Sequence, residues 1–261
     1  MWVIAVFHQV SLFSLKTSDA TSTGGHSLLV PTPFSIKMAL LDVALRKYGV
    51  SAGSELFPLL RDLTIAMSPP QQVVVNNCFV RIHKPRRPKG GQGGVKSGQG
   101  DEQSAIEEER EIDDEGQGPY IRSVAFREYV QYSGPLGLAA QVETQQTAEH
   151  LSPLLLELNY LGKRGSFFQI DGPPLIRDHL PISQGYLQLG EEEAMSRAVS
   201  PGYTLQVLDD WSPKMTFDKA NIYSDAPIAV GKDRILRPVL LPYRVIRSSQ
   251  GFTLYQRTDL P

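Results

Sequence analysis

From Pro85 to Gly118 the sequence is glycine, proline, glutamine, lysine and acid with almost no apolar side chains. A stretch of that composition has nothing to bury and is expected to stay mobile. Its flanks are the opposite. Gln72–Ile82 (QVVVNNCFVRI) and Tyr120–Tyr132 (YIRSVAFREYVQY) are rich in β-branched and aromatic residues, the make-up of strands. Two strands joined by a segment that cannot pack form an extended hairpin with a long end loop, and any fold for this chain has to carry it. Charge along the hairpin is segregated. Arg81, Lys84, Arg86, Arg87, Lys89 and Lys96 come first; nine acids then fall between Asp101 and Glu115 against Arg110, a local net of −8. The chain as a whole is formally −2, so everything outside the acidic run carries +6. A partner senses charge only within a Debye length, so a mildly acidic total leaves a polyanion partner open.

The second organising unit is a strand, a polar loop and a helix. Trp2–Phe7 reads as a strand. Leu15–Val30 is rich in hydroxyls and contains Lys16, the Gly24-Gly25 pair and His26. In the helix that follows, Phe34, Met38, Leu41, Leu45 and Tyr48 fall on one face. Thr32 serves as N-cap, Pro33 takes the first helical position and Gly49 stops the helix. Hydroxyls and amides that converge on a helix N-terminus suit anions, phosphates among them; the same loop could equally be an ordinary solvated connection.

Further along, Val50–Pro70 is a connection with a short helical piece near Glu55–Leu63. Gln141–Leu161 tends to helix, with Ser152-Pro153 a fresh N-terminus, Leu154, Leu155, Leu158 and Leu161 the buried face, and Gly162 the C′ stop. GKRG then leads into the short strand SFFQI. The order β-α-β-β-α-β is that of the ferredoxin-like arrangement, with the long hairpin inserted between strands two and three. The expected fold class is therefore α+β, ferredoxin-like (RRM-like) with an open sheet face, a thumb-like hairpin insertion at about 81–128 (mobile over 85–118), and a β-rich C-terminal extension. The division falls at 1–172 and 173–261. In the extension, Gly202–Leu208, Met215–Tyr223, Val239–Ile246 and Phe252–Gln256 read as strands, the last two joined by a hairpin turn at Ser248–Gly251.

Length and composition exclude several classes. The 261 residues include 41% hydrophobic and 21% charged side chains, a globular balance. The single Cys78 rules out an internal disulfide framework. WVIAVF is too short to span a membrane and lacks the flanks of a signal peptide, so a soluble cytoplasmic protein without membrane association is expected. The five histidines are scattered without metal-ligand spacing, so neither a metal nor another cofactor is expected. No nucleophile elbow or phosphate-binding glycine fingerprint occurs. A non-enzyme is favoured.

Nucleic-acid binding is better served. Lys163 and Arg164, between Gly162 and Gly165, sit next to Phe167 and Phe168, of which strand alternation lets only one face the core. Arg122 and Arg127 lie on the hairpin near Tyr129 and Tyr132, making a basic and aromatic face.

LLVPTPFSIKMALLDVAL at the first helix, the basic hairpin insertion and LNYLGKRGSFFQ together resemble the CRISPR-associated protein 5 family, over about Trp2–Ile170. The resemblance implies a non-catalytic subunit of a type I Cascade surveillance complex. Such a subunit caps the 5′ handle of the crRNA under the thumb, contacts the backbone and large subunits, and meets target DNA indirectly through the complex. It also implies RNA contacts for Lys16, Thr17, Ser18, Thr23, Gly24, Gly25 and His26 in the loop, and for Ser35 and Lys37 at the helix start. On the rising side of the thumb it implies Arg81, His83, Lys84, Arg86 and Arg87, and in the glycine-rich loop Gly162, Lys163, Arg164 and Gly165. The acidic run departs from the family pattern; it is expected to stay in solvent or meet a protein while the basic base of the hairpin binds. Two alternatives remain at this stage. One is a metal-independent endoribonuclease acting on precursor RNA, built from His26 or His83 with Lys37 or Tyr48; the other is a free-standing single-stranded RNA binder.

Overall fold

The computed structural model describes residues 1–17, 25–85, 120–189, 202–221 and 223–259. Beyond Pro85, the stretch read as mobile lies outside these residues, and so does the acidic run at 101–115. The described chain is α+β with antiparallel sheets and few helices.

The first sheet is built from β1 (Trp2–Gln9), β2 (Thr64–Ser68), β5 (Leu136–Gln141), β6 (Phe168–Ile170) and β8 (Leu187–Gln188), in the order β6-β1-β5-β2-β8, with β7 (Leu175–Arg177) also on β1. Two helices belong to it: α1 (Pro33–Asp62) between β1 and β2, and α2 (Gln145–Leu156) between β5 and β6. Alternation along β1 sends Val3, Ala5 and Phe7 into the main core with both helices, and Trp2 and Ile4 to the reverse face. That reverse face is open only in part. Tyr186 packs over Trp2, Ile4, Ala66 and Ala139, all buried, which covers the middle of that face, while His8 and its partner Gln169 at its end stay exposed.

The strands flanking the insertion also differ from expectation. The long hairpin strands β3 (Gln72–Pro85) and β4 (Tyr120–Ser133) do not belong to the first sheet; β2, read as part of a connection, and β5 occupy its centre. TIAMS and LGLAAQ show no polar alternation because both of their faces are buried. The hairpin instead forms a second sheet, β11-β12-β3-β4, with β11 (Tyr243–Ser248) and β12 (Phe252–Arg257). A two-stranded ribbon of β9 (Thr204–Trp211) and β10 (Arg234–Leu241) packs on α1.

Thr32 and Ser35 form a reciprocal capping box, and Pro33 occupies the first turn of α1. Gly49 takes φ +83°, which ends the first helical run as expected, but the chain re-enters a helix that continues to Asp62. The buried apolar core residues of the first run are Ile36, Ala39, Leu40, Leu41, Val43 and Ala44, while Tyr48 is 42% exposed. Both the sheet and the ribbon press on this helix; Trp211 of β9 stacks near Phe34 and Phe57. Its burial is therefore wider than one stripe.

Helix α2 begins at its N-cap Thr144 and ends at Leu156, with Pro153 inside its last turns. No new helix starts at Ser152, whose hydroxyl donates to the Ala148 carbonyl at 2.8 Å. Leu154, Leu155, Leu158 and Leu161 are buried as expected. Among the described residues of Met215–Tyr223 there is no strand: Phe217–Ala220 makes one helical turn, and both Met215 and Ala220 are buried in the main core. Val239–Ile246 is two strands, since Pro242 separates β10 from β11. The Phe252–Gln256 strand and the hairpin turn before it form as read.

Candidate nucleic-acid interface

Strand β4 is the free edge of the second sheet, and the chain after β1 lies along it. Phe13 and Val130 exchange backbone hydrogen bonds of 2.9 and 2.7 Å. The Gln9 side chain binds both partners of the same edge, donating to the Val130 carbonyl and accepting from the Tyr132 amide. Further out, the Glu128 amide donates to the Gly25 carbonyl at 2.9 Å. Lys16 pairs with Ser27 across this loop, and the Leu28 amide donates to the Leu15 carbonyl. Gly25 approaches so closely that an added Cβ would stand 2.1 Å from the Phe126 carbonyl oxygen; only glycine fits there.

The Gly-Lys-Arg-Gly loop meets the same segment from its other side. Gly162 adopts φ +78°, and an added Cβ there would stand 2.9 Å from the Phe13 ring, so this glycine is needed for a turn and a close contact and caps no helix. The Lys163 amide donates to the Ser14 carbonyl, and the Ser14 amide donates to the Ser166 hydroxyl. Phe168 is buried beside Phe13 while Phe167 is 50% exposed, the alternation expected of SFFQI.

Three segments thus converge on Phe13–Lys16, and they bring cations together. The Lys16 ammonium lies below the ordinary lysine range, first because it is partly desolvated and then because Arg127 and Lys163 repel it. Mutual repulsion of this kind is relieved by a bound anion. Beside the cluster, the buried Glu128 carboxylate accepts from the Ser27 amide at 2.7 Å and lies 2.7 Å from His26 Nδ1. The His26 ring, largely exposed, meets Phe126 edge to face.

The remaining candidates divide. Thr17 adjoins the cluster. Arg164 and Gly165 are exposed, and Arg164 acts on the phenol of Tyr160. Arg81, His83 and Arg122 lie farther out on one face of the hairpin, His83 directly opposite Arg122. Arg127 is five residues from Arg122 and so faces the other side; the two do not form a single basic face. Nor does Tyr132 supply a surface aromatic, because it is buried with its hydroxyl donating to the Leu29 carbonyl at 2.9 Å. Lys84 is placed only as part of β3. Ser18, Thr23, Gly24, Arg86 and Arg87 lie outside the described residues.

Two candidates at the helix start are structural. Ser35 is consumed by the capping box. Lys37 is 2% exposed, donating to Asp210 at 2.7 Å and to the Arg61 carbonyl; a lysine sealed in that way presents no charge to a ligand. Sequence reasoning missed Phe79 and Phe126, which stack as a cross-strand pair with centroids 5.7 Å apart, and it missed Glu128. The signal was two-residue parity along both strands, which places Phe79, Arg81 and His83 on the face of Arg122 and Phe126. Among the described residues no group of three or more His, Cys, Asp or Glu side chains could hold a metal ion, and no helix is long and apolar enough to cross a membrane.

No family model matches the chain. A CRISPR-associated protein Cas5 from Archaeoglobus fulgidus is 34% identical over 89 residues, 33% of this chain and 39% of that protein. The chain therefore spans about two fifths of the length of this curated relative. Among solved structures, a CRISPR protein from Archaeoglobus fulgidus aligns over 98% of this chain and 92% of its own, with 10% identity and a TM-score of 0.41. A chain of a CRISPR RNA-guided surveillance complex aligns over 92% and 90%, with 13% identity and a TM-score of 0.45. The resemblance to the CRISPR-associated protein 5 family is thus joined by a match to a Cas5 relative across a third of this chain.

Proposed function

We propose that this chain is a non-catalytic, cytoplasmic RNA-binding subunit of a CRISPR Cascade surveillance complex. In this reading it caps the 5′ handle of the crRNA, contacts the backbone and large subunits, and meets target DNA only through the assembly. The observation that carries the proposal is the convergence of the Lys16 loop, the Lys163 loop and the β4 edge, which sets Lys16 against Arg127 and Lys163. Three cations from three separate segments, held at glycine-bearing backbone, suit a phosphate chain approaching closely. The similarity to Cas5 supports the family. The strand order β6-β1-β5-β2, antiparallel throughout with one helix in each half, supports the ferredoxin-like arrangement. Residues 1–172 would carry the RNA and 173–261 brace the hairpin.

Phosphate contacts supply affinity and its salt dependence. Lys163→Ala with Arg164→Ala is expected to weaken guide RNA binding by about 1–3 kcal/mol and to flatten the dependence of log K on log salt. Titration at several salt concentrations measures both, and an unchanged slope removes this loop from the site.

One observation favours a second reading. His26 paired with the buried Glu128, next to Lys16, is the arrangement of a general base oriented by a carboxylate beside a cationic stabiliser. Of the other ribonuclease candidates, Lys37 is sealed in an ion pair. Incubating the protein with repeat RNA in EDTA decides: intact RNA is the expected result, and cleavage at one phosphodiester that disappears in His26→Ala establishes the enzyme.

A further inference from the structure

The outer half of the hairpin has an exposed face that the cationic cluster does not account for. Phe79 is 78% exposed, Tyr120 57% and Val124 55%. Register places Phe79 opposite Phe126, Arg81 opposite Val124 and His83 opposite Arg122. Two ring pairs result, Phe79 with Phe126 at 5.7 Å and His83 with Tyr120 at 6.4 Å. Phe79 and His83 are four residues apart on one strand, about 13 Å, with Arg81 between them. The inner ring pair continues through Phe126 to His26, and so to the loop that carries Lys16.

We propose that this face is a stacking platform for splayed bases of single-stranded RNA, with Phe79 as its principal base contact. The inference deepens the RNA-binding reading and rests on it. Exposed rings alternating with guanidinium groups match the requirements of a single strand: a π-face for each base and a cation for the backbone beside it. A protein partner would favour a contiguous apolar patch, and Arg81 and Arg122 interrupt this one. The acid on this face among the described residues, Glu128, is already engaged by the Ser27 amide and His26. Stacking on Phe79 would also be indifferent to salt, in contrast to the contribution of Lys163.

The test uses the full chain with single-stranded RNA oligonucleotides carrying 2-aminopurine at successive positions. Binding is expected to quench the fluorophore at one or two positions. Phe79→Ala should abolish that quenching and weaken binding roughly tenfold with an unchanged salt slope, whereas Phe79→Trp should retain both. Because Phe79 is mostly exposed, its truncation leaves the core intact, and circular dichroism of the variant checks this. Quenching and affinity that survive Phe79→Ala overturn the platform and leave the face to a protein partner. In that case a salt slope still sensitive to Lys163→Ala with Arg164→Ala keeps the RNA site itself. A slope insensitive to those changes as well sinks both.

Discussion

Gly25 has no room for a side chain, and the atoms in the way are backbone: the Phe126 carbonyl at 2.1 Å and the Arg127 Cα at 2.9 Å from an added Cβ. Neither can rotate aside. Gly25→Ala is therefore expected to lift the loop from β4, break the bond from the Glu128 amide and cost about 1–3 kcal/mol. A urea melt measures the loss, and an RNA titration should show weaker binding as Lys16 moves away from Arg127 and Lys163. An unchanged melting midpoint would mean that the loop does not seat on β4. At this scale the sequence was informative where function depends on local chemistry. Lys16, Gly25 and the Gly162–Gly165 loop stood out because glycine next to a cation has meaning within a few residues. Lys37 misled for the converse reason: its partner Asp210 is 173 positions away, and a lysine near a helix start reads as solvent-facing until that contact is known.

Helix α1 carries the Lys37–Asp210 pair at its junction with the β9–β10 ribbon. Burial pushes the Lys37 ammonium down in spite of the neighbouring carboxylate, and burial pushes the Asp210 carboxyl up in spite of the ammonium. In both cases desolvation outweighs the attraction. With Lys37 lowered on folding, the unfolded chain binds more protons between the folded value and the ordinary lysine value. Stability therefore rises as pH climbs through that window. With Asp210 raised, the folded chain binds more protons between the ordinary carboxylate value and its own, so stability falls as pH rises there. Both signs mean that the ionised pair opposes folding near neutrality. Lys37→Met combined with Asp210→Leu is expected to be neutral or stabilising by about 1–4 kcal/mol, whereas Lys37→Met alone takes the ammonium from the half-buried Asp210 carboxylate, which keeps only the Trp211 amide as a hydrogen-bond donor, and costs up to about 3–5 kcal/mol. Thermal unfolding of the two variants checks the order, and a double variant less stable than the single one contradicts it. The element-level misreadings share a cause. β2 and β5 lie at the centre of the sheet, and two-sided burial removed the alternation by which strands are recognised.

Across the whole molecule, the C-terminal strands complete a sheet begun nearly two hundred residues earlier. Phe252–Gln256 pairs with Gln72–Asn76. The buried Arg257 side chain donates to the Ser68 hydroxyl and the Pro69 carbonyl and pairs with Asp259. The Tyr243 hydroxyl donates to the Pro70 carbonyl, and burial pushes its phenol far above the ordinary tyrosine range. Removing Tyr243–Pro261 would leave the β3 edge unpaired at the root of the hairpin. The truncated chain is expected to lose hydrogen-exchange protection at the β3 amides that face β12 and to aggregate. A soluble variant with protected β3 amides would reduce β11 and β12 to an appendage.

The sequence by itself determined whatever depends on neighbours along the chain: the capped start of α1, the two hairpin strands, the alternation of Phe167 and Phe168, and the cations beside glycines. Those are properties of short-range backbone preference and charge. Tertiary structure alone decided which sheet the hairpin joined, that Tyr186 covers Trp2 and Ile4 on the reverse face of β1, that Lys37 is sealed, and that Phe79 and Phe126 meet across the stem. Each of these depends on residues distant in sequence becoming adjacent, and burial then overrides what a side chain would do in water.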